Sequence, residues 1–168
     1  MQHGNEWTDG TLIYRSDLGG GRYREWDMIY TVSKCPNDTK LYARVTGGQT
    51  VHVCVSFRLF PNNASGNYTD AQSLCKTDGG YGLTGPWNSD EYEDFKAQGL
   101  QIADSLDSTL DVLFWIDGLS YASKQYRFDD LSHNGIAGYP FWPGKPSNKG
   151  INQGLFMSWM RTGIADIE

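Results

Sequence analysis

Residues 69–118 constrain the fold of this 168-residue chain more than any other stretch. Thr69-Asp-Ala-Gln-Ser-Leu-Cys75 opens with a Thr-x-x-Gln pattern in which the Thr69 and Gln72 side chains can each bond the other's backbone N–H, and it sets Ala71, Leu74 and Cys75 on one helical face. Gly79-Gly80 then ends the helix, because glycine accepts the left-handed backbone that a helix terminus often needs. A second helix is predicted from Asn88 or Ser89. Asp90 and Glu91 suit the positive end of its dipole, and Tyr92, Phe95, Ile102, Ala103 and Leu106 form its apolar face. Asp90, Glu91, Glu93 and Asp94 read mostly as a solvated face. Leu113-Phe-Trp-Ile116, bounded by Asp111 and Asp117-Gly118, is a short unbroken apolar run that predicts a buried central strand.

On the N-terminal side, Leu41-Tyr-Ala-Arg-Val45, the turn Thr46-Gly47-Gly48 and the alternating Val51-His-Val-Cys-Val-Ser-Phe57 read as a hairpin. A bridge from Cys35 to Cys54 would staple its ends, contributing about 3 kcal/mol in the chain-entropy picture. Two buried thiols are the alternative. If the pair joins, Cys75 is left over, and the three cysteines lack the spacing of a zinc site. Gln125–Phe128 and Leu155–Met160 are further strand candidates, and between them residues 129–153, with Pro140, Pro143 and Pro146, form a long loop of the kind that carries function. Residues 1–34 stand apart as an N-terminal extension or linker: Thr11–Tyr14 and Trp26–Val32 read as two strands around Gly19-Gly20-Gly21, with no function assigned. The domain proper spans residues 35–168.

A net charge of −6 with scattered Lys and Arg argues against nucleic acid as a partner. No apolar run approaches the length of a membrane span. The first ten residues lack the basic and apolar regions of a signal peptide. Asn37, Asn63 and Asn67 each begin an Asn-x-Ser/Thr sequon, which permits N-glycosylation in an oxidising compartment. The chain carries no nucleophile elbow, phosphate loop or metal-binding helix. His52 and His133 read as ordinary side chains and Asp129-Asp130 as a solvated turn, so no catalytic residue is expected and the chain is not expected to be an enzyme.

Taken in order, Cys35-Pro36, the Thr69–Cys75 helix, Gly79-Gly-Tyr-Gly82, Phe114-Trp-Ile-Asp-Gly118 and Tyr139-Pro-Phe-Trp-Pro-Gly-Lys-Pro146 resemble the C-type lectin-like domain over residues 35–168. The style of these segments resembles the long-form, secreted nematode members. The resemblance implies an α+β fold with two helices, mixed short sheets and a long loop region. It also implies a Cys35–Cys54 disulfide typical of the long form, with Cys75 at the first-helix cysteine position. In sugar-binding members the Trp-x-x-Gly stretch runs into Glu-Pro-Asn or Gln-Pro-Asp, whose side chains bind calcium. Here the triplet is Lys145-Pro146-Ser147, and the second calcium motif reduces to Ile164-Ala165-Asp166. An ammonium in place of an oxygen ligand removes a donor and adds repulsion. The positions Lys145, Ser147 and Asp166 are therefore expected to be a degenerate calcium site, with no cofactor and at most residual calcium at Asp166.

The resemblance further implies extracellular recognition, by analogy in innate defence. The partner is a glycan or a protein, held by a long-loop surface of Tyr139, Phe141, Trp142, Lys145, Ser147 and Asn148. Binding of glycan without the usual calcium motif is the first expectation and a protein–protein interaction domain is the second. Against that role, Trp142 reads first as core packing beneath the loop, and Tyr139 and the neighbouring Pro146 read first as architecture, with the peptide before Pro146 open to either the cis or the trans form. The family's third-strand cysteine is replaced by Gly154, and its last strand would lie beyond Glu168, so a C-terminally incomplete domain is expected.

Overall fold

The computed structural model describes residues 2–3, 6–15, 25–77, 79–106, 111–123, 125–133, 135–147, 150–160 and 163–167; before Cys35 it describes backbone pairing alone. The chain divides into two units, Met1–Ala43 with His52–Ser56, and Arg44–Val51 with Phe57–Glu168.

In the first unit, strands β1 (Gln2–His3), β2 (Glu6–Arg15) and β3 (Glu25–Lys34) form an antiparallel sheet in the order β1-β2-β3. The β2–β3 ladder runs from Glu6 opposite Lys34 to Arg15 opposite Glu25. Both strands are longer than the patterns Thr11–Tyr14 and Trp26–Val32 predict, and the Gly19-Gly20-Gly21 segment lies outside the described residues. Strands β4 (Lys40–Thr46) and β5 (Gln49–Val55) make the expected hairpin. Its turn residues Gly47 and Gly48 have φ of 59° and 79°, the pair of positive values that a two-residue hairpin turn demands. A disulfide joins Cys35 to Cys54.

The second unit holds the two predicted helices, α1 (Tyr68–Thr77) and α2 (Ser89–Ser105). α1 does not start at a Thr69–Gln72 box. Asn67 is the cap: its Oδ1 accepts the Asp70 N–H at 3.0 Å, and Asp70 Oδ2 accepts the Asn67 N–H at 3.1 Å. Asparagine outranks threonine as a cap, and Asp70 completes the reciprocal pair two residues upstream of the expected one. Gln72 instead donates to Asp129 Oδ2 at 2.7 Å. α2 begins as expected, with Asn88 Oδ1 accepting the Glu91 N–H at 2.8 Å.

After α2 come β6 (Leu113–Ala122), β7 (Gln125–Arg127), β8 (Gly154–Ser158) and β9 (Ile164–Ile167), in the sheet order β7-β6-β8-β9. The α+β class holds. Neighbouring strands in this sheet pair antiparallel rather than in a mixed pattern, and an isolated bridge, Phe141 to Ile164, is parallel. β6 is central, as its apolar run predicts. α2 lies so close to it that a Cβ at Gly99 would come within 2.8 Å of the Phe114 ring. Phe57 meets Phe95 and Phe114 edge-on at 5.7 and 4.8 Å, and Trp115 meets Tyr68 and Phe156 at 5.9 and 6.2 Å. Leu155, Met157, Ile164 and Ala165 are buried with them, each large side chain contributing about 1.5–3 kcal/mol. Cys75 sits half-buried against the Tyr68, Ala71 and Leu83 cluster. Among the described residues no helix is long and apolar enough to cross a membrane.

Candidate functional site

The long loop reaches the sheet through a turn. Pro143 and Gly144 occupy its corners, Gly144 with φ of 78°, and the Lys145 N–H returns to the Trp142 carbonyl at 2.9 Å. The preceding backbone lies along the outer edge of β9, where the Ile164 N–H donates to Pro140 O at 2.8 Å and the Trp142 N–H donates to Ile164 O at 3.0 Å. Beyond the turn the Lys145–Pro146 peptide is cis, and the chain arrives at Asp166.

Asp166 is 3% exposed, and residues of the loop itself surround its carboxylate. The Ser147 N–H lies 2.8 and 2.9 Å from its two oxygens, and the Ser147 hydroxyl donates to Oδ2 at 2.6 Å. Lys145 Nζ stands 3.1 Å from Oδ1 and donates to the Asp166 carbonyl at 3.1 Å. Burial works against ionisation of Asp166, but the bonds from Ser147 and Lys145 outweigh it and hold the carboxyl below its usual range. Nearby, burial and the Asp166 charge push Tyr126 up to about 12.

A calcium ion needs six to eight oxygen ligands. This cluster offers one carboxylate whose oxygens are already engaged by a hydroxyl, an amide and an ammonium, so it does not fit the ion. Among the described residues, no group of three or more His, Cys, Asp or Glu side chains is arranged to hold a metal.

A second polar centre fixes the turn between Phe128 and Tyr139. Asp117, fully buried in β6, accepts the Asp129 and Asp130 N–H groups on Oδ2 at 2.9 and 2.8 Å and the Tyr68 hydroxyl on Oδ1 at 3.2 Å. Its carbonyl accepts the Tyr139 hydroxyl at 2.6 Å. Burial raises the Asp117 carboxyl to about 6 despite these bonds, and burial likewise raises Tyr68 and Tyr139.

Asp130 passes the connection on to Arg44, which is wholly buried. Arg44 donates to Glu91 through Nε at 3.1 Å and Nη2 at 2.8 Å, and to Asp130, Ser132 and Thr84 through Nη1 at 2.9, 2.9 and 3.0 Å. Nη2 also reaches Gly85 O at 2.9 Å, so every N–H of the guanidinium has an acceptor. Thr84 donates its hydroxyl to Asp130 as well. Burial opposes the Asp130 charge, but Ser132, Thr84 and Arg44 bring its carboxyl below the usual value. Thr46 donates to Ser132 O at 3.0 Å, tying the tip of the hairpin to the same turn. Leu131, between these anchored residues, is 90% exposed.

Of the six residues proposed for the loop surface, Tyr139 is buried against Phe128 and His133, and Trp142 sets its ring edge-on to Phe156 at 5.6 Å. Phe141 is half-buried beside Tyr139. Lys145 and Ser147 close on Asp166, and Asn148 lies outside the described residues. Asn37 and Asn67 are exposed; the Asn63 side chain lies outside the described residues.

Arg44, Glu91, Asp117 and Asp130 do not stand out in the sequence as a site. Alternation along β4 carries a signal for Arg44, which shares the inward face with Tyr42 while Ala43 and Val45 point out. Glu91 and Asp130 are corrections. Both belong to runs read as solvated, yet both are drawn onto Arg44. His133 is also more than a loop side chain: it stacks on Phe128 at 5.0 Å, and its two ring nitrogens are buried without a hydrogen bond among the described residues. Burial lowers its pKa.

No family model matches the chain, and no curated protein or solved structure matches it.

Proposed function

We propose that this protein is an extracellular recognition module of C-type lectin-like architecture that works without calcium, and that its ligand is a protein surface. The order of elements supports the architecture: a disulfide-closed hairpin, two helices, a central Phe-Trp-Ile strand and a long Trp-Pro-Gly loop returning to the sheet. The disulfide supports an oxidising compartment. Calcium independence rests on one observation. The carboxylate of Asp166 is matched within its own chain by the Lys145 ammonium at 3.1 Å and by Ser147.

The choice of protein over glycan follows from where the loop side chains go. Tyr139 and Trp142 pack inward and Lys145 and Ser147 are committed to Asp166, leaving few groups to stack on a sugar or bond its hydroxyls. Leu131 is presented instead, on a turn held by Asp117, Arg44 and Thr46. An apolar side chain ordered before binding loses little entropy on contact, which suits an anchor in a protein interface.

Glycan-array binding of protein shown to be folded by near-ultraviolet circular dichroism, run in calcium and in EDTA, tests this reading. No glycan binding in either buffer is expected. Binding that EDTA abolishes would contradict the account of Lys145, and binding indifferent to EDTA would move the ligand from protein to sugar.

A further inference from the structure

We infer that Asn67 is an N-glycan acceptor whose side chain divides its labour, the oxygen capping α1 and the nitrogen carrying the sugar. The residue is exposed, and its sequon runs Asn67-Tyr68-Thr69. Its Oδ1 takes the Asp70 N–H at 3.0 Å, and its own N–H goes to Asp70 Oδ2 at 3.1 Å. Among the described residues no hydrogen bond engages Nδ2. An N-glycosidic bond uses that nitrogen and leaves the amide oxygen in place. The helix cap and the glycan therefore coexist, and folding does not have to displace one for the other.

Order of events supports the same site. Tyr68, the middle residue of the sequon, is 8% exposed, with its hydroxyl on Asp117, so transfer precedes docking of α1 onto β6. The compartment that closes Cys35–Cys54 is the one in which transfer occurs. The co-reactant is a lipid-linked pyrophosphoryl oligosaccharide. A bond forms between Asn67 Nδ2 and the anomeric carbon of the first sugar, the bond from that carbon to the pyrophosphate oxygen breaks, the amide gives up one proton, and the lipid pyrophosphate leaves with the electron pair. Asn37 is exposed too, but its sequon hydroxyl, on Thr39, donates to Pro36 O at 2.7 Å in a turn beside Cys35, where disulfide closure competes with transfer.

The test is expression of the full chain behind a cleavable leader in cultured eukaryotic cells, with peptide mapping of the secreted protein before and after peptide-N-glycosidase. The residue 67 peptide is expected to carry glycan and to convert to aspartate on release. Thr69→Ala removes the sequon with the cap intact, and Asn67→Asp keeps the capping oxygen without the amide nitrogen. Both are expected to lose the glycan completely while keeping wild-type helicity by circular dichroism and a closed Cys35–Cys54 bond. Secreted wild type with unmodified Asn67, glycan confined to the other sequons, or a chain retained reduced and unglycosylated each overturns the inference.

Discussion

Removing Arg44 perturbs the buried polar network of the second unit. The Arg44 side chain is fully buried, and its two carboxylate partners expose only 7% of the Glu91 side chain and 17% of that of Asp130. Arg44→Met keeps much of the apolar stem but leaves both carboxylates without their counter-charge, and breaking a buried pair in this way costs about 3–5 kcal/mol. That is a large share of the roughly 5–15 kcal/mol that holds an ordinary domain together. The midpoint of thermal unfolding should fall by on the order of 10 °C for a chain of this size.

Urea unfolding followed by tryptophan fluorescence measures the loss. Adding Glu91→Leu to Arg44→Met should restore about 2 kcal/mol, because the second change removes a buried charge that the first has left unpaired. Arg44→Lys should fall between, since one ammonium cannot replace a fork that reaches Glu91, Asp130 and Gly85 together. A loss below about 1 kcal/mol in Arg44→Met, or strict additivity in the double variant, would refute the network as a structural support.

Three further outcomes follow from the same structure. The Asp117 carboxyl, raised by burial from 3.8 to about 6, gives stability that is complete below its unfolded value and lost as pH rises through about 6. Relative to Asp117→Asn, the wild type should therefore gain about 2 kcal/mol between pH 7 and pH 4 in urea titrations, and a constant difference would contradict the assignment. His133 acts in the opposite sense: with its pKa lowered from 6.5 by burial, it gives stability that is lost as pH falls below 6.5. His133→Phe should flatten that acid-side decline, and an unchanged pH profile would count against a buried neutral ring. Lys145→Met leaves the Asp166 carboxylate to Ser147 alone and should cost about 1–2 kcal/mol, with faster hydrogen exchange at the Ser147 amide as the local readout. Unaltered exchange would mean that Lys145 does not hold the loop.

What was readable in the sequence was local. The Gly47-Gly48 turn, the Asn88 cap and the apolar run of β6 each depend on residues close together in the chain, where propensity and chemistry act directly. The start of α1 moved because two capping pairs compete within a few residues, and Asn67 with Asp70 prevails over Thr69 with Gln72. The buried polar centres were not readable for a different reason. Arg44 meets Glu91 and Asp130 across 47 and 86 residues of chain, and no periodicity records which acid of a charged run turns inward. Asp117 follows an apolar strand, where an acid reads as a boundary, yet the turn that it holds through the Asp129 and Asp130 amides makes it a hub. The loop aromatics were readable in part: Tyr139 and Trp142, candidates for a binding surface that read first as architecture, pack against Phe128 and Phe156.

The central claim is that Asp166 is satisfied by Lys145 and Ser147 without a metal. Thermal unfolding of the purified full chain across a calcium titration, with EDTA as the reference, tests it directly. An ion bound by the native state alone at a hundred times its dissociation constant adds about 2.7 kcal/mol, a shift of several degrees. The account predicts the same midpoint in calcium and in EDTA. A midpoint that climbs with calcium and returns on chelation would contradict it.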